Sequence, residues 1–110
     1  MKNQNWISLR TDDLFKAVLK LKTLKESRNF FRDLLTLPEI KEFSNRWKAA
    51  RMLDQKIPYS KIEKETGMSS TTIARINRWL SKGNGGYRLM IDRIKNNHHH
   101  DLSFSSERDS

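Results

Sequence analysis

The stretch YSKIEKETGMSSTTIARINRWLSK, residues 59–82, constrains this chain more than any other. It carries two runs of helical spacing, broken at Gly67-Met68-Ser69. In the first run, Ile62 and Thr66 stand one turn apart and can face inward together. Gly67 can take the left-handed backbone conformation that a sharp helix end needs. Ser69 or Ser70 then offers a hydroxyl to cap a new helix, whose first N–H groups have no partner within the helix. On that second helix Ile73, Ile76 and Leu80 recur at helical spacing and can pack back on the first. Its other face carries Ser70, Thr71, Thr72, Arg75, Arg78 and Lys82. Two helices joined by such a turn make the helix-turn-helix pattern, in which the second helix enters the DNA major groove. Hydroxyls near its N-terminus suit phosphates and base edges, and guanidinium groups pair with guanine. An ordinary helical hairpin with a solvated basic face shares this pattern. Turn chemistry and charge together favour DNA.

The charge is concentrated where that reading needs it. The net charge of the chain is +9, and residues 41–95 hold 13 Lys and Arg against 5 Asp and Glu. The remainder holds 9 against 8 and is nearly neutral. A basic surface of this kind displaces counterions from nucleic-acid phosphates. An anionic membrane surface would also attract it, so the charge supports the hairpin reading without establishing it.

The 110 residues allow a single domain with a small core. With 35% hydrophobic and 32% charged residues, some stability is expected from a partner subunit. The chain has no cysteine, which excludes disulfides and thiolate metal sites. It has no apolar run that could span a bilayer, and its start, MKNQNWISLR, lacks the apolar core of a signal peptide. A cytoplasmic location is expected.

In chain order, residues 1–10 read as a flexible arm, and the domain proper is expected at 11–95, with the helix-turn-helix at 59–82. Thr11 or Asp12 can cap a first helix whose stripe is Leu14, Val18 and Leu21, with Phe15 and Leu19 beside it. A second helix is expected from Lys25 to Thr36, with Phe30, Phe31, Leu34 and Leu35 on one face. That face is too aromatic for a short solvated helix. Pro38 suits the first turn of a third helix, expected to run to Gln55 with Ile40, Phe43, Trp47, Ala50 and Leu53 at helical spacing. After the hairpin, Gly83-Asn84-Gly85-Gly86 breaks the chain. A last helix, Tyr87 to Lys95, carries Tyr87, Met90, Ile91 and Ile94. Residues 96–110 read as a disordered polar tail. The fold class is all-α, about six helices around a central helix-turn-helix. An intertwined homodimer would cover the apolar faces and present two hairpins to a two-fold symmetric site.

Several residue groups resemble a known family: Leu35-Thr36 followed by Pro38-Glu39, Asn45-Arg46, Ile62-Glu63 with Glu65-Thr66-Gly67, and Thr72-Ile73-Ala74-Arg75. The run from about Thr11 to Lys95 resembles the tryptophan-repressor family, especially its YerC/YecD-like branch. That resemblance implies an all-helical intertwined dimer binding operator DNA through the second hairpin helix. It also implies an effector pocket at Leu35, Thr36, Arg46 and Arg75, because tryptophan-binding members sandwich the indole between two arginines. Those members have glycine directly after the second arginine, where this chain has Ile76, and a serine three residues further on, where it has Trp79. An aliphatic side chain and an indole would occupy the ligand's space, so L-tryptophan is disfavoured as a corepressor and no cofactor is expected; a ligand-independent repressor or one with a different, unidentified small-molecule effector is preferred. Under the alternative, Arg46 pairs with an acid of the dimer and Arg75 serves DNA only.

The function expected is that of a sequence-specific regulator of transcription, repressor-like, binding double-stranded DNA as a homodimer. Ser69, Ser70, Thr71, Thr72 and Arg75 are the candidate base and phosphate contacts at the start of the reading helix. Arg78 and Lys82 could reach the flanking backbone, and Lys56 and Lys61 could contact phosphates. The alternatives are a helical dimeric protein-interaction module, with Trp79 as its one large anchor, and a nonspecific nucleic-acid-binding protein. Trp79 is expected to pack inward. Nothing points to an enzyme. His98, His99 and His100 lie together in the tail and cannot preorganise a metal site, and Gly83, Gly85 and Gly86 lack the Lys-Ser/Thr pair of a phosphate loop.

Overall fold

The first helix begins two residues before the expected cap, for a reason visible in its hydrogen bonds. In the computed structural model, which describes residues 5–100, the cap is Ser8. Ser8 Oγ accepts from Thr11 N–H at 3.2 Å, and Thr11 Oγ1 accepts from Ser8 N–H at 2.9 Å. That reciprocal pair satisfies two orphan donors at once, which a cap at Thr11 or Asp12 would not. Helix α1 therefore spans Leu9–Val18 and takes in the end of the stretch read as an arm. Trp6 sets its ring edge-on to Phe15 with centroids 6.3 Å apart. Residues 1–4 lie outside the described residues.

Thr23 caps α2, Leu24–Leu34, by accepting from Glu26 N–H at 3.0 Å. This helix ends two residues short of expectation because Leu35 turns extended. Thr36 then caps α3, Leu37–Asp54, in a second reciprocal box with Glu39. Neither α1 nor α2 contains a buried residue, and their exposed apolar side chains include Leu9, Phe15 and Leu24.

Two compact units divide the chain between residues 41 and 42. The second holds the buried core. Ala49, Ala50, Met52 and Leu53 of α3 meet Ile62 of α4 (Tyr59–Thr66), Met68 of the turn, Ile73 and Ile76 of α5 (Ser70–Lys82), and Ile91 of α6 (Gly86–His100). Of the stripe expected on α3, only Ala50 and Leu53 are buried, while Phe43 is half exposed. On α6, among residues 86–96, only Ile91 is buried; Met90 and Ile94, expected on the same stripe, are exposed. The helix also runs five residues past Lys95, and residues 101–110 lie outside the described residues. Among the described residues there is no strand.

Two backbone devices aim the hairpin. At the end of α3, Lys56 takes a φ of 65°, Lys56 N–H donates to Leu53 O at 3.0 Å, and Ile57 N–H donates to Met52 O at 3.1 Å. This pair of bonds is a Schellman ending, and its left-handed position here is a lysine rather than a glycine. At the other end of the hairpin, a Cβ on Gly83 would stand 2.4 Å from Trp79 O, so only glycine allows that exit. Asp54 ties α6 to the end of α3: Arg88 lies 2.8 Å and Lys95 2.6 Å from its carboxylate.

Candidate nucleic-acid interface

The hairpin is held from inside. Ile62, Ile73 and Ile76 are wholly buried between its helices and the end of α3. Gly67 ends α4 with a φ of 75°, the left-handed position expected of it. The buried Thr66 hydroxyl donates to Ile62 O at 2.7 Å and accepts from Met68 N–H at 3.2 Å, which stitches the last turn of α4 to the loop. Ser69, extended at φ −73° and ψ 159°, caps α5. Asn77 Nδ2 donates to Tyr59 Oη at 3.3 Å, linking the two helices again.

With its inner face fixed, α5 presents Ser70, Thr71, Arg75, Arg78 and Lys82 to solvent, as expected from their spacing. None of these three cations makes an ion pair among the described residues. Elsewhere in the same unit Lys48 pairs with Glu65 at 3.1 Å, and Arg46 with Glu42. Exposed guanidinium groups without an ion pair are free to meet phosphates or guanine edges.

The N-terminus of α5 divides its labour. Ser69 Oγ accepts from Thr72 N–H at 3.2 Å and donates to Thr72 Oγ1 at 3.1 Å. The Thr72 side chain is thus half-buried and fixed, with its own hydroxyl proton still available to an outside acceptor. The N–H groups of Ser70 and Thr71 have no helical acceptor and suit an anion. Lys61 is exposed in the first turn of α4, and Lys56 is exposed at the turn between α3 and α4. Two features escaped the sequence reading. Ala74 is exposed beside Arg75, and its spacing from Ser70 and Arg78, four residues each way, would have shown it. The Asn77–Tyr59 bond had no signal in the spacing.

The four candidate effector residues divide between the two compact units, with Leu35 and Thr36 in the first and Arg46 and Arg75 in the second. Thr36 is already committed to capping, accepting from Glu39 N–H and donating to Glu39 Oε1 at 3.1 Å. Leu35 O accepts from Arg32 Nη1 at 3.1 Å. Arg46 pairs with Glu42, one turn earlier on its own helix, at 3.1 Å. It lines a cavity of about 590 Å³ together with Trp47, Trp79, Tyr87 and Met90. Arg75 does not line this cavity. Tyr87 stacks on Trp47 with centroids 6.4 Å apart; burial pushes its hydroxyl pKa up, partly opposed by the Arg46 charge. Ile76 is wholly buried. Trp79, expected to pack inward, is instead 43% exposed and forms a wall of the cavity.

Among the described residues no group of three His, Asp or Glu could hold a metal ion. Among the described residues no helix is long and apolar enough to cross a membrane.

Comparison with known proteins agrees with this arrangement. The Trp repressor protein family profile matches residues 10–95. An uncharacterized protein of Bacillus subtilis, YerC, is 46% identical over 84 residues, which cover 76% of this chain and 81% of the relative. The solved structure of a TrpR-like protein from Eubacterium eligens covers 84% of this chain and 96% of its own, at 39% identity and a TM-score of 0.80. A Staphylococcus aureus protein solved as a candidate Trp repressor covers 86% of this chain and 95% of its own, at 38% identity and a TM-score of 0.79. With the family match across its helices and these relatives, the chain belongs to the Trp repressor protein family.

Proposed function

We propose that this protein is a sequence-specific regulator of transcription that binds double-stranded DNA as a homodimer and acts as a repressor in the cytoplasm. The observation that carries this reading is the outer face of α5, where exposed Arg75, Arg78 and Lys82 make no ion pair among the described residues and stand beside a hydroxyl-rich helix start. A rigid helix with that chemistry matches the depth and donor-acceptor pattern of the major groove. The dimer is supported by α1 and α2, which bury none of their residues, and by exposed Phe43, Leu89, Met90 and Ile94 in the second unit. No catalytic role is proposed.

Tryptophan is not the effector in this reading. Buried Ile76 and the indole of Trp79 stand where the resemblance to tryptophan-binding members implies small residues, and Arg75 does not line the cavity that Arg46 lines. The alternative of a protein-interaction module has one observation in its favour, the exposure of Trp79 beside an apolar cavity.

Selection of duplexes from a randomised pool, at near-physiological salt and without tryptophan, tests the proposal. A two-fold symmetric motif is the expected result. A motif that emerges only with tryptophan would overturn the effector argument. No motif in either condition would leave the interaction module or nonspecific binding.

A further inference from the structure

Ser70, Thr71, Ala74, Arg75 and Arg78 are all exposed on α5, and Ala74 is the single apolar side chain among them. Ser70 and Arg78 lie one turn to either side of it on the same stripe. A methyl group at this position has two consequences for a helix lying in the major groove. It keeps the centre of the face low, so the backbone can approach the base edges. It also offers a contact that no base except thymine can answer, because only thymine carries a methyl group in that groove.

We propose that Ala74 is a specificity-determining residue that packs against the 5-methyl group of one thymine in each half-site. This rests on the DNA-binding reading of α5 above and adds to it a base preference at one position. Arg75 and Arg78, next to it, supply hydrogen bonds and charge, which favour guanine or phosphate rather than thymine.

The test uses the full chain and a duplex recovered from the randomised pool. Each thymine is replaced in turn by uracil, which lacks only the methyl group. The wild-type protein should lose about fourfold in affinity at one thymine per half-site, the loss of one buried methyl. The thymine-to-uracil affinity ratio should fall towards one in Ala74→Gly, and be reduced in Ala74→Ser, which keeps the helix better formed. Because the ratio is taken within each variant, any loss of folded protein cancels. A ratio of one at every thymine in the wild type would overturn the proposal. So would a ratio unchanged in both Ala74 variants, or one abolished by Thr71→Ser, which would assign the contact to the neighbouring methyl. Recovery of no motif from the pool would overturn the DNA-reading proposal and this one with it, a result distinct from binding without a methyl effect.

Discussion

Ser69 and Thr72 exchange two hydrogen bonds across the first turn of α5, with Ser69 Oγ accepting from the Thr72 amide at 3.2 Å and donating to Thr72 Oγ1 at 3.1 Å. One serine thus caps the helix and fixes the side chain nearest the expected base edges. Ser69→Ala should lower stability by about 1 kcal/mol, the usual worth of such a cap. Thr72→Ala keeps the cap's amide bond and should instead relax sequence preference. Chemical denaturation and repeated duplex selection separate the two effects; equal loss of stability in both variants would contradict this division.

Arg75 and Lys61 are expected to act on different parts of the DNA. Arg75→Ala should cost about 10- to 100-fold on the selected duplex and much less on a random one, as for a lost guanine contact. Lys61→Ala should weaken both equally and lower the salt slope by about 1. Titrations of both duplexes at several salt concentrations give the answer. Identical losses on both duplexes for Arg75→Ala would remove it from the base-reading set.

Lys56 holds a φ of 65°, where a side chain is strained and glycine is not. Lys56→Gly should therefore raise stability by up to about 1 kcal/mol while weakening all duplexes alike through the lost charge. Thermal melting and binding, measured on one preparation, should move in opposite directions. A fall in melting temperature would mean that the Lys56 stem packs more than its exposure suggests.

Asp54 is held charged chiefly by Lys95 and then by Arg88, which lower its pKa below the ordinary 3.8. A folded-state pKa below the unfolded one means that the carboxylate stabilises the fold fully above the unfolded value. That stabilisation is lost as pH falls through 3.8 towards the folded-state pKa. Asp54→Asn should accordingly melt lower than wild type near neutral pH, and the two melting curves should converge in acid. A gap that stays constant down to acid pH would show that packing, not charge, makes the difference.

The apolar side chains left exposed on α1, α2 and α6 set the expectation for assembly. Sedimentation at micromolar concentration should give a species of twice the 13.1 kDa chain mass. A species of single-chain mass would remove the homodimer from the proposal.

Much of the hairpin was legible because its determinants are local. Gly67 could be assigned the left-handed turn from its place between two periodic runs, and Ile73 and Ile76 from their spacing. The helix ends were less legible. Ser8, Thr11 and Asp12 are all competent caps, and the choice fell to whichever pair could bond reciprocally. Nothing in the local sequence marked Lys56 for a left-handed position, since the Schellman ending is driven by Ile57 reaching the core.

The sequence by itself determined six helices, the place of the turn between α4 and α5, and which face of α5 is polar. Those follow from backbone preferences and from a period of 3.6 residues, both properties of neighbours in the chain. Tertiary structure alone decided that Met90 and Ile94 stay exposed while Ile91 is buried, that Trp79 walls a cavity, and that Arg46 lines this cavity while Arg75 does not. Periodicity names a stripe on a helix. How much of that stripe is covered depends on where the other helices end and how closely they pack, which no single segment encodes.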